Sequence, residues 1–141
     1  AIMNYNNVAL SHGSALVIDG DGKFLRNRTM PERIDAAMMS KRNFIINSSA
    51  VIDRNFVEVI AQHDVKHEDY DMWLRLFQSN VISLAVKRPL VKYRVHSDNT
   101  TSSALKSLGW MIGVQRKNNI SWLSIFWGFF YNLISRLVSF K

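Results

Sequence analysis

The stretch HEDYDMWLRL, residues 67–76, sets Glu68, Asp69 and Asp71 ahead of an apolar run that holds one tryptophan and one arginine. Tyr70, Trp73, Leu74 and Phe77 recur at i, i+3, i+4 and i+7, a spacing that predicts a helix over 69–79 with one buried face. Glu68 and Asp69 then stand at the positive end of the helix dipole, where unpaired N–H groups favour negative charge. A carboxylate kept ionised there can accept a proton. Asp71 and Arg75 are four apart and can pair across one turn, fixing the helix start without consuming Asp69. On helix chemistry alone, all three acids are also accounted for as caps and dipole-compensating residues.

Working outward, VALSHGSALVI at 8–18 suits an extended segment, and the two Asp-Gly pairs of DGDGK at 19–23 predict a hairpin turn after it. Thr29-Met30-Pro31-Glu32 has the spacing of a capping box, so a helix is expected over 30–41 with Ile34, Ala37 and Met38 inside. NFIINSSAVI at 43–52 is β-branched and aromatic enough for a strand, and DRNFVEVIA after it suits a short helix capped by Asp53. Downstream, VISLAVKRPLVKYRV at 81–95 is extended, with Pro89 marking an edge or a break between two short strands. SDNTTSS at 97–103 reads as loop.

From Ala104 the character changes. Residues 104–120 predict one helix ending at an Asn pair, and 121–141 a second. In the second, Ser121, Ser124, Gly128, Asn132, Ser135 and Ser139 form a thin small or polar stripe, and the rest of the circumference is apolar and aromatic. Two units follow: an α/β unit over 1–103 and a C-terminal amphipathic helical tail over 104–141.

The totals narrow the function classes. Hydrophobic residues make up 48% of the 141, enough for a packed core, so a disordered chain is excluded. The chain has no cysteine, which removes disulfides, thiolate metal sites and thiol nucleophiles and suits a cytoplasmic setting. A net charge of +7 favours an anionic partner. Nucleic acid fits poorly, because Lys and Arg are scattered and most aromatics sit at core spacing. A basic nucleic-acid-binding or membrane-associated module without catalysis is nonetheless the alternative to an enzyme.

HEDYDMWLRL, followed by KRPLVKYRVHSDNTTS at 87–102, resembles the C-terminal half of the family 2 inverting glycosyltransferases, which have the GT-A fold. The family's acidic helix motif is matched by Glu68, Asp69, Asp71, Trp73 and Arg75, with Trp and Arg one residue closer than in the family form. Its following strand is matched by Leu90, Tyr93, Arg94 and His96. SHGSALVIDGDGK at 11–23 is similar to the family's hairpin after the metal site, with His12 where a small residue often stands, and NFIINSSAVIDR to the strand before the acidic helix. The likeness covers residues 8–103.

The resemblance implies an α/β Rossmann-like mixed sheet with flanking helices, forming the acceptor-side half of an enzyme that transfers sugar from a nucleotide-sugar with inversion, in cell-envelope polysaccharide or glycolipid synthesis. It gives Asp69 the role of general base, and Glu68, Asp71 and Trp73 that of binding or orienting the acceptor. Arg94 would serve the leaving diphosphate, with pairing to the acidic helix as its alternative. His96 would ligate a divalent metal, Mn or Mg, in the full-length enzyme. The family's nucleotide pocket and Asp-x-Asp motif are expected ahead of Ala1, so these residues alone are expected to be inactive. Asp19 and Asp21 belong to the hairpin turn instead of that motif. His63 and His67, four apart, could share a metal if helical, although solvated loop histidines are the default reading. The expected partners are the nucleotide-sugar donor and a sugar or lipid-linked acceptor. Residues 104–141 are expected to lie on the cytoplasmic face of a membrane, or to pack on the domain or on a second copy of the chain.

Overall fold

The computed structural model describes residues 8–55, 57, 61–95 and 104–138. The chain is a mixed α/β fold built on a mixed sheet. Strand β1 (Val8–Ile18) is its centre, β2 (Phe24–Arg28) lies antiparallel on one side, and β5 (Ile82–Arg94) lies parallel on the other. β3 (Arg33–Ile34) extends the sheet beyond β5, and β4 (Val51–Ile52) pairs with β1 near its start. Helices α1 (Ala36–Met39), α2 (Glu68–Phe77), α3 (Ala104–Lys117) and α4 (Trp122–Val138) complete the order. β1 is buried along almost its whole length, as a central strand covered on both faces must be, which suits its two apolar runs; between them His12 is buried too, hydrogen-bonded to Ser83.

The hairpin forms as expected. Asp19 Oδ1 accepts the N–H groups of Asp21 at 3.0 Å and Lys23 at 2.9 Å, and Gly22 takes φ 89°, where a side chain is disfavoured. β5 is a single strand, not two. Pro89 sits opposite Ser14, where the register with β1 slips and no ladder donor is required of it. Gly13 makes the slip possible: a Cβ there would lie 2.5 Å from Leu90 Cγ, in space that the leucine occupies.

The helix expected over 30–41 is largely absent. Glu32 gives its carbonyl to Ala85 N and Pro31 gives its own to His12, so this segment becomes sheet, and only Ala36–Met39 is helical. Its cap is Asp35, whose carboxylate accepts Met38 N at 3.0 Å, and its buried residue is Met39 instead of Ala37 or Met38. The strand expected over 43–52 shrinks to Val51–Ile52 behind a 3₁₀ turn at Asn47–Ser49. Side chains take part of its backbone: Asn43 Oδ1 accepts Ile45 N and Ser49 Oγ donates to the Ile46 carbonyl, while the same hydroxyl exchanges bonds with both backbone groups of Gly13 on β1. Much of the short helix expected after Asp53, and the loop at 97–103, fall outside the described residues.

Helix α2 closes the core from one side. Tyr70, Trp73, Leu74 and Phe77, the four residues at helical spacing, are all 2% exposed or less and pack with Ile34, Met39 and Phe44. α3 bears on α2 through buried Val114, Gln115 and Asn118. Asn119, at φ 59°, ends α3, and Ser121 starts α4 by accepting Ser124 N on its hydroxyl.

Candidate active site

The first turn of α2 carries Glu68, Asp69 and Asp71, and the structure gives each a different environment. Successive helix residues point about 100° apart, so three neighbouring carboxylates need not share one fate.

Glu68 is exposed and lines an open cleft of about 620 Å³ together with Gln62, His63, Asp64, Val65 and Lys66. Asp69 is half-buried and lies outside that lining. Its Oδ2 accepts the Asn43 side-chain amide at 3.1 Å, and its Oδ1 accepts the Tyr70 N–H at 2.8 Å. Asn43 is itself held, because its Oδ1 is committed to Ile45 N at 2.9 Å. The Asp69 carboxylate is therefore aimed by a fixed amide while keeping solvent access and unused lone pairs.

Asp71 is wholly buried. Its Oδ2 lies 2.8 Å from His63 Nδ1 and 3.2 Å from Arg75 Nε, and its Oδ1 takes the Asn118 amide at 2.8 Å with Lys117 Nζ at 3.6 Å. Burial pushes this carboxyl up, but the Asn118 hydrogen bond, Lys117 and Arg75 together outweigh it and hold it below its ordinary range. The pairing with Arg75 across one turn is present as expected. Arg75 also donates to the Ala61 carbonyl, which ties the segment before the helix to its flank. Trp73 is 1% exposed and deep in the core. Asp71 and Trp73 were expected to bind or orient the acceptor; both side chains are instead sealed in the protein interior, where they hold α2 in place.

The helix entrance carries strain. His67 takes φ 61° and ψ 47°, a left-handed conformation that costs a non-glycine residue roughly 1 kcal/mol or more. Its ring meets Trp110 of α3 edge-on at 6.0 Å between centroids. His63, by contrast, points its Nδ1 into Asp71. The two histidines therefore do not converge, and among the described residues no three His, Asp or Glu side chains are placed to hold a metal ion.

Arg94 is elsewhere. Its guanidinium donates to the carbonyls of Asp19 at 3.1 Å and Gly20 at 2.5 Å, clasping the end of β5 to the hairpin turn, and it has no hydrogen bond or ion pair with α2. His96 lies outside the described residues. His12 is fully buried, with Nδ1 2.7 Å from Ser83 Oγ and Nε2 2.8 Å from the Pro31 carbonyl. Burial lowers its pKa from 6.5, and the bond to Pro31 opposes that only in part.

Sequence reading gave Asn43, Lys117 and Asn118 no part in this site. They reach α2 from 26, 46 and 47 positions away in the chain, and no local pattern signals that approach. Tyr70 and Gln115 form a second joint: the phenol donates to the Met39 carbonyl at 2.7 Å, and Gln115 Nε2 reaches both Tyr70 Oη and the Ser40 carbonyl. No protein-family model and no curated protein matches this chain.

Proposed function

We propose that this chain forms the acceptor side of an inverting, nucleotide-sugar-dependent glycosyltransferase with a GT-A architecture, working in the cytoplasm. The observation that carries the reading is the Asp69 carboxylate, half-open at the first turn of α2 and aimed by Asn43. A sugar hydroxyl is a weak nucleophile, and a positioned carboxylate that takes its proton as the new bond forms is what the reaction requires. The acceptor oxygen attacks the anomeric carbon, its proton passes to Asp69, and the nucleoside diphosphate leaves with the electrons of the broken bond. Glu68, on the adjoining cleft, meets acceptor hydroxyls. Asp71 and Trp73 hold the helix, and Asn43 is a positioning residue. The left-handed His67 supports the reading, since backbone strain of this kind concentrates at functional turns.

The test uses the protein that carries the nucleotide-binding half together with this chain. Asp69→Asn lowers the transfer rate about 10²- to 10⁴-fold with an unchanged melting temperature and unchanged donor affinity. Undiminished transfer removes Asp69 from the reaction.

A further inference from the structure

Helix α4 is turned the opposite way to a helix that closes a core. Its side toward the protein is narrow: Ile125 and Gly128 are buried and Ser124 is half-buried. Gly128 lies so close that a Cβ on it would stand 3.0 Å from the Cα and carbonyl oxygen of Lys41. The other side carries Trp122, Phe126, Trp127 and Ile134, between 56% and 63% exposed, and continues round to Phe129 and Tyr131. At about 100° per residue, the exposed apolar arc covers about 200° of the circumference. A face of that width and composition marks an interaction surface.

The charges say what the surface meets. Residues 104–141 contain five Lys and Arg and neither Asp nor Glu, so they supply five of the seven net positive charges. Cations stand at both ends of the aromatic arc: the Arg116 guanidinium lies 4.9 Å over the Trp122 ring, and the Lys41 ammonium 5.1 Å over that of Tyr131. A second copy docking through this face would bring two acid-free segments together with no carboxylate in either to offset them. An anionic bilayer supplies that counter-charge, and it accepts Trp and Tyr at the headgroup level and Phe just below. Among the described residues no helix is long and apolar enough to cross a membrane. We propose that α4 is an interfacial helix which lays its aromatic face into the surface of an anionic lipid bilayer, with Ser124, Ile125 and Gly128 seated on the protein. This inference stands independently of sugar transfer.

The experiment is co-sedimentation of the full chain with phosphatidylcholine vesicles, with and without about 30% phosphatidylglycerol, alongside tryptophan emission. Binding is about tenfold or more stronger on the anionic vesicles and shifts the emission to the blue. The double change Phe126→Ser with Trp127→Ser lowers partition about tenfold on both vesicle types and leaves the melting temperature in place. Arg116→Gln with Lys41→Gln weakens only the anionic binding, by about fivefold per charge. Partition that ignores the Phe126 and Trp127 changes overturns the proposal. So does the absence of partition together with a concentration-dependent dimer that those changes abolish.

Discussion

Trp73 on α2 is 1% exposed and Trp127 on α4 is 62% exposed, although each stands in a run of apolar residues at helical spacing. On α2 the large side chains face the sheet and a carboxylate goes in with them, satisfied by two cations, a histidine and an amide. On α4 Ser124, Ile125 and Gly128 face the protein, the backbone of Gly128 comes down onto Lys41, and the aromatic bulk is left outside. Amphipathic periodicity thus reveals that a helix has two sides, and close packing decides which is inner. Gly128 admits near approach of backbone to backbone, and once it is seated, the aromatic side has nowhere to go but out.

The comparison can be broken most severely at Trp73. Trp73→Ala removes the largest wholly buried side chain and costs about 3–5 kcal/mol, read as a loss of urea midpoint. Asp71→Asn strips the charge from the centre of the cationic cluster. Its partners are 31–44% exposed and regain water, so the expected loss is about 2–3 kcal/mol, short of that for a wholly buried pair.

Gly128→Leu attacks the other helix at its seat. The side chain has no room against Lys41, so we expect a loss of about 1–2 kcal/mol in thermal unfolding, partly offset by better helix propensity. Acid sharpens the contrast further. His12 has a folded pKa below 6.5, so its contribution is fully present above pH 6.5 and is lost as pH falls from there toward the lower folded value. Asp71 is held below 3.8, so its contribution is present above pH 3.8 and is lost as pH falls through its folded value. Denaturant melts across pH should show two steps, the upper removed by His12→Gln and the lower by Asp71→Asn. Trp127→Ala, the counterpart of the first change, should alter stability by no more than about 0.5 kcal/mol in the same melts.

Helix α2 was legible because its four large residues obey one period and all turned inward. The β1–β2 hairpin was legible because Asp-Gly chemistry acts within five residues of chain. The reading of 29–41 failed where a local signal met a tertiary demand. β5 needed an antiparallel neighbour, and the Glu32 carbonyl serves Ala85 instead of a helix. Residues 43–52 have strand composition, but Asn43 and Ser49 bind backbone groups of Ile45 and Ile46 that a ladder would use. At the site, the acids could be named from sequence and their environments could not. That Glu68 meets a cleft, Asp69 an amide and Asp71 a buried cationic cluster depends on Asn43, His63, Lys117 and Asn118, and only folding brings these to the helix.

Helix α3 and the turn after it are fastened to α2 at more than one place, among them Gln115 on Tyr70 and Asn118 on Asp71, roughly one turn apart. A single fastening would be a pivot, whereas two make a bracket. α4 leaves that bracket by a short turn and is pinned again where Gly128 meets Lys41. Any plane on which α4 comes to rest therefore fixes the tilt and height of the α2 entrance above it, and Asp69 would face its surroundings at one preset angle.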